Sequence, residues 1–237
     1  HWRVGGFGGA PMPEGTIRAL AQKLPQLVLV NAYGATETTS PTTCMPLGRQ
    51  AGHPDSAGAV VPCGELRVMD DTGREVAPGE TGEIWIAGPM VVPGYWEDSA
   101  ATQREFCGGY WKSGDIGSID AEGYVRILDR KKDLINRGGY KVYCAEVENV
   151  LSLHAAVMES ALIARPDPVQ GEKAHAFVLR SDPRCTAEDL RAHCARFLAD
   201  YKLPDFITFV DHPLPRNAKG KILKRQLRDD HASALPA

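Results

Sequence analysis

Apolar residues at Ile17, Leu20, Ala21 and Leu24 recur at three- and four-residue intervals, the spacing of one helix face. Pro13 sits where a first helical turn loses nothing by a missing N–H, and Pro25 stops the run. Residues 2–6 read as a short strand broken by Gly8-Gly9-Ala10-Pro11. Residues 26–31 are apolar at consecutive positions, as in a parallel strand buried on both faces. The pattern predicts a β-α-β unit. One such unit cannot bury its own sheet, and the chain opens on His1 rather than Met, so further sequence is expected before it.

From about Gly48 the pattern changes to short strands, at 64–69, 82–87, 114–119 and 124–128. They are punctuated by Asp70-Asp71-Thr72-Gly73, Pro78-Gly79-Glu80-Thr81 and Asp120-Ala121-Glu122-Gly123, all turn-forming. This predicts a compact, largely antiparallel module, barrel or sandwich. A third texture begins near Asp129. Residues 134–136 and 140–143 form a hairpin across Arg137-Gly138-Gly139, and 146–153 a helix with Val147, Val150 and Leu151 on one face. Strands follow at 156–164 and 174–179. Thr186 caps a helix running to about Ala199, a last strand spans 206–210, and a polar loop (215–220) leads into a short basic helix. The fold class is α/β plus α+β. Residues 1–46 end a parallel α/β subdomain, 47–129 form a barrel-like antiparallel subdomain, and 130–237 form a small, mobile α+β domain.

A formal net charge of −3 over 237 residues argues against a dedicated nucleic-acid binder, which needs a basic field. No apolar run approaches the roughly 20 residues of a membrane span, and the opening residues lack a signal peptide's h-region. The six cysteines are scattered without a CxxC pair, so neither a zinc site nor a disulfide framework is expected. They read as reduced thiols in a cytoplasmic protein.

Four stretches carry chemistry. Tyr33-Gly34-Ala35-Thr36-Glu37-Thr38 follows the second strand, where parallel α/β sheets bind ligands. It offers an aromatic face for a base, a hydroxyl for phosphate and a carboxylate for Mg²⁺; it equally reads as a helix capping box. Asp115, after Gly114, can accept both hydroxyls of a ribose or close a β-turn on its own backbone. The mixed-charge run from Asp129 to Glu148 falls where a hinge belongs, or is a solvated linker. Pro215-Arg216-Asn217-Ala218-Lys219-Gly220-Lys221-Ile222 can deliver a mobile lysine to a phosphate, or is a basic tail.

Taken together these stretches resemble the C-terminal half of the adenylate-forming superfamily, which comprises acyl-CoA synthetases, luciferases and amino-acid adenylation domains. The resemblance rests on GGAPM, NAYGATETT, GEIWIAGPMVVPGYW, YWKSGDIGSIDAEGYVRILDRKKDLINRGGYKVYCAEVE and PRNAKGKILK, in that order over nearly the whole chain. Within it, DRKKDLINRGGYKVYCAEVE is most similar to ligases of medium- or long-chain fatty acids or aryl acids.

The resemblance implies a two-step ligase. A carboxylic acid and ATP give acyl-AMP and pyrophosphate, and coenzyme A then displaces AMP to form a thioester. It further implies that Gly9, Ala10 and Pro11 line the adenine pocket with Tyr33 and Gly34, that Thr36 contacts the α-phosphate, and that Glu37 ligates Mg²⁺. Asp115 and Arg130 would hold the ribose, and Lys221 would stabilise charge on the transferring phosphoryl group. Lys132 would be the hinge of a domain rotation, with Gly138, Gly139 and Lys141 on the coenzyme A side. The family's Ser/Thr/Gly-rich phosphate loop is absent from this stretch, which makes the missing N-terminal part of the same enzyme the expected partner. Two other readings stand beside this one: an amino-acid adenylation domain loading a carrier protein, and a nucleotide-binding fragment without turnover.

Overall fold

A computed structural model describes residues 1–10, 12–218 and 220–233, the last three by backbone alone. Its contacts divide the chain into two units, one of 1–12 and 16–131, the other of 13–15 and the chain from Lys132 onward.

In the first unit β1 (Val4–Gly8) and β2 (Val28–Tyr33) pair in parallel, joined through α1 (Glu14–Lys23), whose first two residues group with the second unit. Ile17 buries the helix face. Both strands run two residues beyond their expected ends, because the ladder continues through Phe7 opposite Asn31 and Gly8 opposite Ala32. The expected burial of β2 on both faces is not met within this chain, where Leu29 is buried and its neighbours in the strand are only partly so. Two short strands unseen in the pattern, β3 (Thr43–Cys44) and β4 (Ala59–Val60), extend the sheet in the order β1-β2-β3-β4.

A second sheet holds β5 (Glu65–Met69), β6 (Gly82–Ala87), β7 (Phe106–Cys107), β8 (Tyr110–Ile119) and β9 (Val125–Arg130), every pairing antiparallel, with α2 (Ser99–Glu105) leading into β7. Ile84, Ile86, Trp111 and Val125 form its core. β8 starts four residues before the expected Gly114. Glycine at φ 67° lets the strand pass through a bulge rather than begin there.

The second unit opens with the hairpin of β10 (Ile135–Arg137) and β11 (Tyr140–Val142), turning at Gly138 and Gly139. α3 (Cys144–Ser152) follows, then the long antiparallel pair β12 (Val157–Asp167) and β13 (Gly171–Arg180). α4 (Ala187–Cys194) begins at a capping box in which Thr186 and Asp189 exchange hydrogen bonds. It stops five residues short of the expected Ala199, because Arg196 and Phe197 turn back on three-residue bonds and carry Leu198 into the core. β14 (Phe206–Val210) lies parallel to β13, and α5 (Lys224–Ser233) ends the described chain.

The central strands are buried on both faces. Leu162, Ala174, Ala176 and Val178 face a core shared with Val147, Leu151 and Leu190, while Ala161, Ile163 and Phe177 pack with Leu214 and Leu227. No helix among the described residues is long and apolar enough to cross a membrane.

Candidate nucleotide site

The parallel ladder brings the carboxyl ends of β1 and β2 side by side, so Gly9 and Ala10 emerge next to Tyr33 and Gly34. Pro11 lies outside the described residues. Beyond Tyr33 the chain makes a three-residue turn at Thr36–Thr38. Thr38 fastens it: its hydroxyl accepts from the Ala35 amide at 3.0 Å and donates to the Ala35 carbonyl at 3.1 Å. The capping work therefore falls to Thr38, leaving Thr36 exposed and the Glu37 carboxylate for other partners.

Glu37 is oriented from the β6–α2 segment. Its carboxylate accepts the Tyr95 hydroxyl at 3.0 Å, and that hydroxyl accepts Trp111 Nε1–H at 3.3 Å. The Glu37 carbonyl also accepts the Val92 amide at 2.8 Å. Tyr95 lies within one of the quoted sequence motifs, but nothing in the spacing ties it to a residue 58 positions earlier.

Asp115 reaches the site through the β8 bulge. Residues 113–115 stand opposite the single Ile84. Ser113 fills the gap in the ladder, donating its hydroxyl to the Ile84 carbonyl at 2.6 Å and accepting the Asp115 amide at 3.0 Å. The Asp115 side chain, 7% exposed, thus turns toward β2. One carboxylate oxygen accepts the Tyr33 hydroxyl at 2.6 Å, and the other is 2.9 Å from Nε of Arg130, its directly opposed neighbour on β9. Asp115 lies inside a strand and does not close a β-turn.

Burial, with the Asp115 carboxylate beside it, raises the Tyr33 phenol well above the usual tyrosine range and keeps it a donor. A carboxylate has about four lone-pair sites, so Asp115 keeps acceptor capacity for a diol while bonded to both neighbours. Arg130, 42% exposed in its side chain, offers further donors.

A cation at Glu37 would find one carboxylate, and no group of three or more acidic, histidine or cysteine residues able to hold a metal exists among the described residues. That donor set suits Mg²⁺, which is commonly held by one or two carboxylates together with phosphate oxygens and water.

The remaining candidates lie in the second unit. Lys132 is exposed at its start, and Lys141 stands on β11 opposite Asn136. Gly138 and Gly139 form the hairpin turn at φ 58° and 90°, and a Cβ at either position would meet nothing within 4 Å. Backbone conformation, rather than a close neighbour in this unit, is what demands glycine there. Lys221 sits on a tight turn, its amide donating to Asn217 Oδ1 at 3.0 Å.

Residues 1–96 match the AMP-binding enzyme family, and 146–221 match the AMP-binding enzyme C-terminal domain. The long-chain-fatty-acid–CoA ligase of Yersinia pestis is 41% identical over 226 residues, covering 94% of this chain and 39% of that protein. The 2-succinylbenzoate–CoA ligase of Geobacillus kaustophilus is 39% identical, over 94% of this chain and 45% of that protein. The o-succinylbenzoate CoA synthetase of Bacillus subtilis, solved with its acyl-adenylate intermediate, superposes with a TM-score of 0.86 at 35% identity, over 96% of this chain and 46% of its own. The chain spans less than half the length of the curated relatives it matches. Two motif-bearing segments in the expected order, and a fold shared at this level of identity, lead to one assignment: the chain belongs to the adenylate-forming enzyme superfamily.

Proposed function

We propose that this chain is part of an AMP-forming acid–CoA ligase. The substrate is a fatty or aryl carboxylic acid, activated by ATP as acyl-AMP with loss of pyrophosphate and then transferred to the thiol of coenzyme A. The observation that carries the reading is the Tyr33–Asp115–Arg130 constellation, a buried carboxylate held between a phenol and a guanidinium at the carboxyl end of a parallel sheet. Asp115 and Arg130 bind the ribose diol, and the Tyr33 ring stacks on adenine beside Gly9, Ala10, Pro11 and Gly34.

Thr36 bonds the α-phosphate, and Glu37 holds Mg²⁺, whose charge would offset that of the phosphates. Lys221 supplies a positive charge to the transferring phosphoryl group, work that is mainly electrostatic in a water-poor site. The segment from residue 130 acts as a small mobile domain that turns at Lys132 between the two half-reactions, bringing Gly138, Gly139 and Lys141 to coenzyme A. Residues 1–46 and 47–129 serve as the end of the large α/β subdomain and the barrel-like subdomain. Relatives that join acids to coenzyme A support the choice of thiol.

The test is AMP release by the whole protein that carries this sequence, assayed with a panel of fatty and aryl acids with and without coenzyme A. Acid-dependent AMP formation coupled to thioester supports the reading. Nucleotide binding without it refutes it.

A further inference from the structure

The turn that carries Lys221 is fastened to the sheet by a chain of bonds that neither family membership nor the proposed roles assign. Asn217 and Lys221 close the turn: the Asn217 amide donates to the Lys221 carbonyl at 2.9 Å, and the Leu223 amide to the Pro215 carbonyl at 2.8 Å. Arg216 pairs with Ile222 as an isolated antiparallel bridge. These bonds tie the two arms of the turn to each other and not to the sheet.

Glu159 of β12 provides the tie to the sheet. Its Oε2 accepts the Leu214 amide at 3.0 Å, and its Oε1 lies 3.3 Å from Nη2 of Arg216. The other arm of the same guanidinium, Nη1, donates to the carbonyl of Gly220 at 2.7 Å. Gly220 immediately precedes Lys221, and Leu214, 3% exposed, roots the base of the turn in the core with Leu227.

The forked, planar guanidinium is suited to bridge the strand carboxylate and that carbonyl at once, one arm to each. We infer that Arg216, held by Glu159, is a positioning residue that sets the direction in which Lys221 leaves its turn. It acts through the Gly220 carbonyl. The inference rests on the reading of Lys221 as the adenylation lysine.

The two half-reactions separate a positioning role from a merely structural one, because Lys221 is needed only in the first. In the whole protein, Arg216→Ala should lower acid-dependent ATP–pyrophosphate exchange about tenfold to a hundredfold, the scale expected when a reacting group is displaced by roughly 1 Å. Thioester formation from supplied acyl-adenylate and coenzyme A should stay within about twofold of the parent. Arg216→Lys, which keeps the charge but lacks the two-armed fork, should fall between. Glu159→Gln should lower exchange in the same direction. Combined with Arg216→Ala it should add nothing further, since both act through one chain of bonds.

Thermal unfolding of each variant establishes that it folds. An equal loss in both half-reactions, or additive losses from Glu159→Gln and Arg216→Ala, overturns the inference. So does unchanged exchange in Arg216→Ala when Lys221→Ala is inactive, and in that case the proposed function survives. If Lys221→Ala itself keeps full exchange, the reading of Lys221 fails and the inference falls with it.

Discussion

The Tyr33 hydroxyl donates to the Asp115 carboxylate at 2.6 Å across 82 positions of sequence, joining the end of a parallel strand to a bulge in an antiparallel sheet. The bond needs two local features. β2 continues through Tyr33, and Ser113 substitutes its hydroxyl for a ladder partner so that the strand can re-aim Asp115.

Tyr33→Phe keeps the ring and removes the donor. The buried carboxylate then loses one of its two partners, so the variant should be less stable by about 1.5–3 kcal/mol, the range for hydrogen bonds to charged groups. Nucleotide affinity should fall less than in Asp115→Asn, because Tyr33→Phe keeps both the stacking face and the carboxylate proposed for the ribose. Chemical denaturation and titration with ATP check both parts. Equal affinity losses in the two variants would place the Tyr33 contribution in the hydroxyl alone.

The same bond predicts an alkaline limit. Burial raises the Tyr33 pKa above its unfolded value near 10, so above that pH the unfolded chain gives up a phenolic proton that the folded chain keeps. Stability from this group is complete below about pH 10 and is lost as pH rises further, with a slope approaching about 1.4 kcal/mol per pH unit. Unfolding free energies of the parent and Tyr33→Phe should therefore converge between about pH 10 and 11.5. A constant difference across that range would contradict it.

Glu37 and Tyr95 predict a metal dependence. Glu37→Gln should sharply raise the Mg²⁺ concentration needed for half-maximal pyrophosphate exchange by the whole protein. Tyr95→Phe removes only the hydroxyl that orients the carboxylate and should raise it by about tenfold, the lower end of what loss of an outer partner costs a metal site. Unchanged Mg²⁺ titrations in both variants would remove Glu37 from the metal's ligands.

Sequence periodicity could read α1 and the strands beside it because burial imposes a period on neighbouring residues, and it placed residues 206–210 and the Gly138-Gly139 turn at their observed positions. It missed α2, whose seven residues include none that is buried, so no apolar stripe exists to detect. It also missed β3 and β4, since two residues make no period. At the site, the end of β2 and the Gly-Asp at 114–115 were legible as chemistry. Their contact was not, because a bond spanning 82 residues leaves no trace in local spacing, and the same holds for Tyr95 on Glu37.

Thiol chemistry divides five of the six cysteines, Cys44 being only partly buried. Cys63 and Cys107 are exposed, whereas Cys144, Cys185 and Cys194 are buried, and burial pushes the Cys194 thiol up to about 11. Brief alkylation of the native protein at neutral pH should label Cys63 and Cys107 and spare those three, as read by peptide mass spectrometry. Labelling of Cys194 at a rate equal to Cys107 would contradict the packing of α4.

Gly139 separates conformation from access. At φ 90° any side chain is strained, so both Gly139→Ala and Gly139→Leu should lose about 1–2 kcal/mol of stability whatever the loop does in catalysis. The proposed place beside the thiol's path adds a second effect that depends on size. In the whole protein, leucine should depress thioester formation from supplied acyl-adenylate well below the alanine variant while leaving pyrophosphate exchange equal in the two. Alanine supplies the strain without the bulk, so the comparison isolates obstruction. Equal thioester rates in the two variants would leave Gly139 with a conformational role only.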